Sequence, residues 1–156
     1  MEAEGGRVKE GLEKLRRSLE MREAALRQDP SMTLARRYAA ISRNKIGRVL
    51  LKNKNTEAAL TEFRQALEAN RDLSGKDAIN LDLARELADS YANTAAALFA
   101  LARTGSANQA ESLRREAREM NQNALNIFLR MKERNTFFGA DAPRLERLSR
   151  DTARIE

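Results

Sequence analysis

The chain has no cysteine, no histidine and no tryptophan, only two prolines, and aromatic residues at 4% of its 156 positions. Without cysteine there is no disulfide, no thiolate nucleophile and no thiolate metal site, and a reducing or an oxidising compartment suits it equally. Without histidine the commonest general base and the commonest zinc ligand both disappear, so any enzyme chemistry would fall to carboxylates, lysine or hydroxyls. Long apolar runs are missing too. The least polar stretch, Tyr91 to Ala102, is far shorter than the ~20 residues that cross a bilayer, and Met1 to Gly11 is charged rather than apolar. The expectation is a chain with neither a membrane span nor a signal peptide.

What is present suits one helical domain. A hydrophobic content of 42% beside 33% charged residues is what helices wet on one side require, and the length suffices for a core without staples. The formal net charge is +6, from 29 basic and 23 acidic side chains, but the two signs alternate along nearly every segment. Glu10 with Lys14 and Glu111 with Arg115 have the spacing of neighbours on a helix surface. Nucleic-acid binding would instead gather lysine and arginine into a stripe with aromatic platforms. It is retained as the alternative function, through the basic surface.

Apolar residues recur with helical period. Val8, Leu12, Leu15, Leu19 and Leu26 share a face of an opening helix, which Asp29-Pro30-Ser31 ends. A second helix, capped by Ser31 and running to about Lys52, turns Leu34, Tyr38, Ile41, Ile46, Val49 and Leu50 inward. Asn53 to Thr56 is a turn, with Asn55 or Thr56 as the next cap. A third helix, about Glu57 to Leu73, buries Leu60, Phe63 and Leu67, and Gly75 supplies a left-handed residue at its end. The fourth, about Ala78 to Arg103, carries Leu83, Leu87, Tyr91, Leu98 and Leu101, and the fifth, about Ala107 to Arg134, carries Leu113, Met120, Leu125, Ile127, Phe128 and Met131. Phe137 and Phe138 fold back onto this last pair from a loop. Pro143, after Asp141 or Ala142, opens a short terminal helix. No segment alternates as a strand would.

The chain also repeats itself. Leu12 to Glu20 aligns with Leu60 to Glu68, and Ser42 to Gly47 with Ser90 to Ala95, so that both alignments share one offset in the numbering. Ala117 to Leu125 repeats the motif that starts at Ala59, at a somewhat longer offset. Within the first complete pair Gly47, Ala59, Phe63 and Ala66 occupy small and aromatic packing positions; in the second, Tyr91, Ala95, Ala117 and Ala124 do so, with Asn121 in the place of Phe63.

Arg43 to Leu50 followed by Ala59 to Phe63 and Ala66 fits the spacing of the two-helix tetratricopeptide unit. Ser42 to Leu50, Ala59 to Glu68 and Asp29-Pro30-Ser31 resemble the tetratricopeptide arrays that follow the kinase domain in many bacterial serine/threonine protein kinases. Glu116 to Ala142 is similar to the closing segment of such arrays. The kinase's own glycine-rich loop, catalytic loop and metal-binding triplet are missing.

The resemblance implies an all-α fold, a right-handed α-α superhelix of elongated tetratricopeptide-like hairpins with about five long helices and a short C-terminal capping helix. It spans 1–156 as one domain: an opening helix over 1–28, pairs over 31–73 and 77–135, and a cap over 141–155. The implied function is non-enzymatic: recognition of a protein or peptide as the binding or regulatory part of a bacterial signalling protein. Localisation would be cytoplasmic by default, and extracytoplasmic in the sensor part of a membrane-anchored kinase. Catalytic, cofactor and metal residues are expected to be absent, and the opening helix, without the partner that would normally precede it, is expected to present either a truncation edge or a contact for a homodimer.

In such arrays the first helix of each pair lines the groove. Helical spacing then selects Ile41, Asn44, Lys45, Arg48 and Lys52, with Asp89 and Asn93, and beside them Ala92, Ala96 and Ala100. Three cations near two amides suit a carboxylate or an acidic peptide; ordinary solvated charge is the competing account. Glu86 with Asp89, or Glu116 with Glu119, have the spacing of an acid/base or metal pair, a spacing common on helix surfaces. A small-molecule sensor has no specific support.

Overall fold

The computed structural model describes residues 2–153, with side chains described over 8–152. The first residue of the expected opening helix and the last two of the expected cap lie outside that range. Among the described residues the chain is all-helical: α1 (Glu2–Gln28), α2 (Thr33–Lys52), α3 (Thr56–Lys76), α4 (Leu81–Ala102), α5 (Ala107–Glu133), a 3-10 turn (Gly139–Asp141) and α6 (Ala142–Ala153). Consecutive helices pack against one another in chain order, and α2 also touches α4.

The turns differ from expectation in informative ways. Ser31 does not cap α2; Met32 stands there without a side-chain bond. Instead, the Asp29 carboxylate accepts from the Ser31 backbone N–H at 2.9 Å and the Ser31 hydroxyl at 2.6 Å, which fixes the turn before the helix starts. Gly75 does not end α3. The helix runs through it to Lys76, and none of the described glycines has a positive φ. Within that last stretch the Asp72 carboxylate accepts from Lys76 Nζ at 2.9 Å and from Arg36 Nη1 at 2.7 Å.

The left-handed residues are Lys54 (φ 63°) and Asn135 (φ 54°). Each closes a helix in the same way: Asn55 N–H donates to Leu50 O and Thr136 N–H to Met131 O, both at 2.9 Å, spanning the last turn. α4 begins later than expected, at Leu81 rather than Ala78, because the Asn80 side chain accepts from the backbone of Asp82 and Leu83, leaving Ile79 in solvent.

One core runs through α1 to α5, around Leu19, Ile46, Leu60, Phe63 and Leu98. A second, around Ala88, Phe128, Met131 and Leu148, seats α6 on α4 and α5, and Leu87 and Tyr91 join the two. Gly47, Ala59, Phe63, Ala66, Ala95, Ala117 and Ala124 are buried, and Tyr91 is half-buried. A Cβ on Gly47 would lie 2.5 Å from Phe63 Cε1, so the missing side chain is what admits the ring.

Three residues expected inside are not. Val8, Leu34 and Tyr38 are exposed; Tyr38 lies at the edge of the α1 contact, with the Arg22 guanidinium 5.6 Å from its ring centre. Phe137 packs into the second core, whereas Phe138 is exposed and stacked by Arg85. Lys14 pairs with Glu10 at 2.6 Å as its spacing suggests, but Glu111 has Arg118 rather than Arg115 as its partner, at 3.8 Å.

The sequence repeat reappears as a repeated cross-helix contact. Arg22 donates to Ser42 Oγ at 3.3 Å, and Asn70 to Ser90 Oγ at 2.8 Å; the second pair follows the first at the offset that aligns Leu12 with Leu60. Glu23 pairs with Arg43, and at the equivalent positions Arg71 Nε donates to the Tyr91 hydroxyl at 3.0 Å. The longer offset, which aligns Ala59 with Ala117, carries Asn70 and Ser90 onto Phe128 and Leu148, both in the second core. By this register α6 is the counterpart of α2 and α4.

Candidate peptide-binding face

The face shared by α2 and α4 is fixed by a buried polar network. Asn44 Nδ2 donates to Ser90 Oγ at 2.8 Å, Asn93 Nδ2 donates to Asn44 Oδ1 at 3.1 Å, and Asn70 reaches the same serine from α3. Arg37 grips Glu86 through two nitrogens, the closest contact being 2.7 Å, so α2 and α4 cannot slide past each other without breaking a charge-assisted fork. The Arg37 guanidinium is held even more firmly protonated by that carboxylate.

Above this network lies an open hollow of about 210 Å³, lined by Ile41, Asn44 and Arg48 of α2, Asn70 of α3, and Glu86 and Asp89 of α4. Of the groove residues expected from the sequence, Ile41, Asn44, Arg48 and Asp89 thus meet in one place. Lys45 and Lys52 lie exposed on the same side of α2, outside the hollow's lining. Asn93 lines the next hollow, of about 140 Å³, with Ala92 and Ala96 and with Arg147 and Asp151 of α6. Asn44 and Asn93 bond to each other rather than standing free for a ligand.

Spacing within the paired helices ends the face at α4, and the structure extends it onto α6. Arg144 Nε lies 3.4 Å from Asp89 Oδ1. Burial raises the Asp89 pKa above the ordinary carboxylate value, and the charges of Arg144, Arg48 and Arg147 oppose that rise, Arg144 alone among them pairing with it directly. The signal lies in the longer repeat offset: carried past Ala117, it aligns Arg147 with Asp89.

The charges on this face differ from the clamps elsewhere. Arg36–Asp72, Arg43–Glu62, Arg64–Glu116 and Arg85–Asp141 join helix to helix at 2.7 to 2.9 Å. Glu86 and Glu116, whose spacing would suit acid/base or metal partners, are held in such clamps. Lys45, Arg48, Lys52 and Arg147 make no ion pair among the described residues. Among the described residues there is no group of three or more acidic side chains placed to hold a metal ion, and no helix is long and apolar enough to cross a membrane. Comparison with known proteins finds no family model, no curated protein and no solved structure that matches the chain.

Proposed function

We propose that the chain is a non-enzymatic recognition module, a tetratricopeptide-like stack of helix pairs that binds a peptide segment of another protein along the face formed by α2 and α4. The observation that carries this is the meeting of Ile41, Asn44, Arg48 and Asp89, selected by the resemblance together with helical spacing, around one open hollow. Further support comes from the Gly47–Phe63 packing and from the cross-helix contacts that recur with the sequence repeat. Stacked pairs leave exposed the face that a lone pair could not bury, and such faces are where repeat proteins take their ligands. By the resemblance of its repeats, the module serves a bacterial signalling protein.

Panning a random peptide library displayed on phage against the full chain tests this. Selected peptides should be rich in aspartate and glutamate and lose binding to the triple variant Lys45→Ala, Arg48→Ala, Lys52→Ala. Retention of all selected peptides by the triple variant overturns the assignment of this face.

A further inference from the structure

The groove-facing positions can be followed through all three equivalent helices. The shorter repeat offset carries Ile41 onto Asp89, and the longer one carries Asp89 onto Arg147, so these three are the same position on α2, α4 and α6. Arg48 shares the first hollow with Asp89 and with Glu86, which Arg37 already holds, and Arg147 shares the second with Ala92, Asn93, Ala96 and Asp151. Both arginines are exposed and have no carboxylate partner among the described residues, whereas Asp89 between them is half-buried and touches Arg144 at 3.4 Å. From the first hollow to the second, Arg48, Asp89 and Arg147 thus present a cation, an anion and a cation on α2, α4 and α6.

Resting on the recognition role proposed above, the geometry points to a specific occupant: an extended acidic peptide lying across α2, α4 and α6, with one carboxylate at Arg48, a second at Arg147, and an uncharged residue over Asp89. Charge complementarity selects it. Each arginine offers a planar fork to a carboxylate, while Asp89 repels a third acid placed between the two. Alanines at 92 and 96 leave room for a backbone to lie close. Helices packed side by side have axes about 8–10 Å apart, so α2 to α6 is two such steps, about 18 Å, and Arg48 lies seven residues beyond Ile41, about 10 Å further along its helix, for a span of about 21 Å. An extended chain advances about 3.3 Å per residue, which sets the two acidic residues about six positions apart. A nucleic-acid strand fits less well, because its phosphates recur at every nucleotide and one would fall over Asp89.

Fluorescence anisotropy with the full chain and labelled glycine-serine peptides of about twelve residues, long enough to cross three helices, tests this directly. One peptide carries two glutamates about six positions apart, a second carries them adjacent, and a third adds a glutamate midway. The spaced pair should bind about tenfold more tightly than the adjacent pair, and Arg48→Ala and Arg147→Ala should each cost about tenfold, as charge-assisted hydrogen bonds of this kind do. The midway glutamate should weaken binding, and Asp89→Asn should restore it.

Equal binding of the spaced and adjacent peptides overturns the inference. So does an Arg147→Ala variant that binds as the parent does while Arg48→Ala is impaired, a result that leaves the face on α2 and α4 standing and removes only its extension to α6. Tighter binding of an oligothymidylate of equal charge at the same ionic strength rejects the peptide as occupant.

Discussion

Phe63 fits against α2 only because position 47 has no side chain; at the corresponding positions of the second pair stand Ala95 and Asn121, both buried. Gly47→Ala should therefore lower stability by about 1–3 kcal/mol, the usual penalty for overpacking a core, read as a fall in thermal midpoint. Adding Phe63→Leu should recover part of the loss; a Gly47→Ala variant as stable as the parent contradicts the close contact. Asp89 and Asp141 respond to pH with opposite sign. Burial raises Asp89, so its ionised form disfavours folding at pH 7 and the penalty fades as pH falls through its raised value towards 3.8. Asp89→Asn should gain stability at pH 7 and lose that gain below pH 3.8. The Arg85 guanidinium, through its hydrogen bonds, lowers Asp141, whose contribution is complete above 3.8 and is lost as pH falls through its lowered value. Denaturant titrations of the two aspartate-to-asparagine variants across pH separate these effects.

At the scale of elements, helix ends depart furthest from what residue types suggest. Gly75 lies within α3, and an added Cβ would meet nothing within 4 Å, so Gly75→Ala should stabilise by about 0.5–1 kcal/mol through propensity alone. Lys54 occupies the left-handed closing position of α2, where glycine is at ease; Lys54→Gly should be neutral or stabilising by up to about 1 kcal/mol. Both are measurable by chemical denaturation, and a loss at either position contradicts the conformation described. The existence and order of the helices were legible from spacing, because Leu12, Leu15 and Leu19 or Ala59, Phe63 and Ala66 recur within single elements. Their ends were not: Gly75 has the composition of a stop, yet α3 runs through it to Lys76. Tyr38 and Leu34 have the right period but lie where the neighbouring helix no longer covers them. Likewise Asn44 and Asn93 have the spacing of ligand-facing amides, and their mutual bond between separate helices leaves no local trace.

At the scale of the whole molecule, the accessible surface is 10000 Å², whereas a compact monomer of this mass exposes roughly 7,900 Å². An open stack of helices in chain order would leave such an excess uncovered. Small-angle scattering should give a radius of gyration clearly above the roughly 15 Å of a compact chain of this length; a value at or below that figure describes a closed bundle instead. α6 seats the far end of this stack through Arg85 and the buried Asp141, the latter 1% exposed. Asp141→Ala takes from Arg85 its closest partner, leaving only the Asp82 carboxylate at 3.5 Å, and should cost up to about 3 kcal/mol, with hydrogen exchange accelerating first in α6. The central claim is that binding uses one continuous face of this stack. Nuclear magnetic resonance on the ¹⁵N-labelled chain, titrated with the spaced diglutamate peptide, tests it most directly. Amide shifts confined to 41–52 of α2, 89–96 of α4 and 144–151 of α6 are the predicted result, and shifts centred on α3 and α5, or none at all, contradict it.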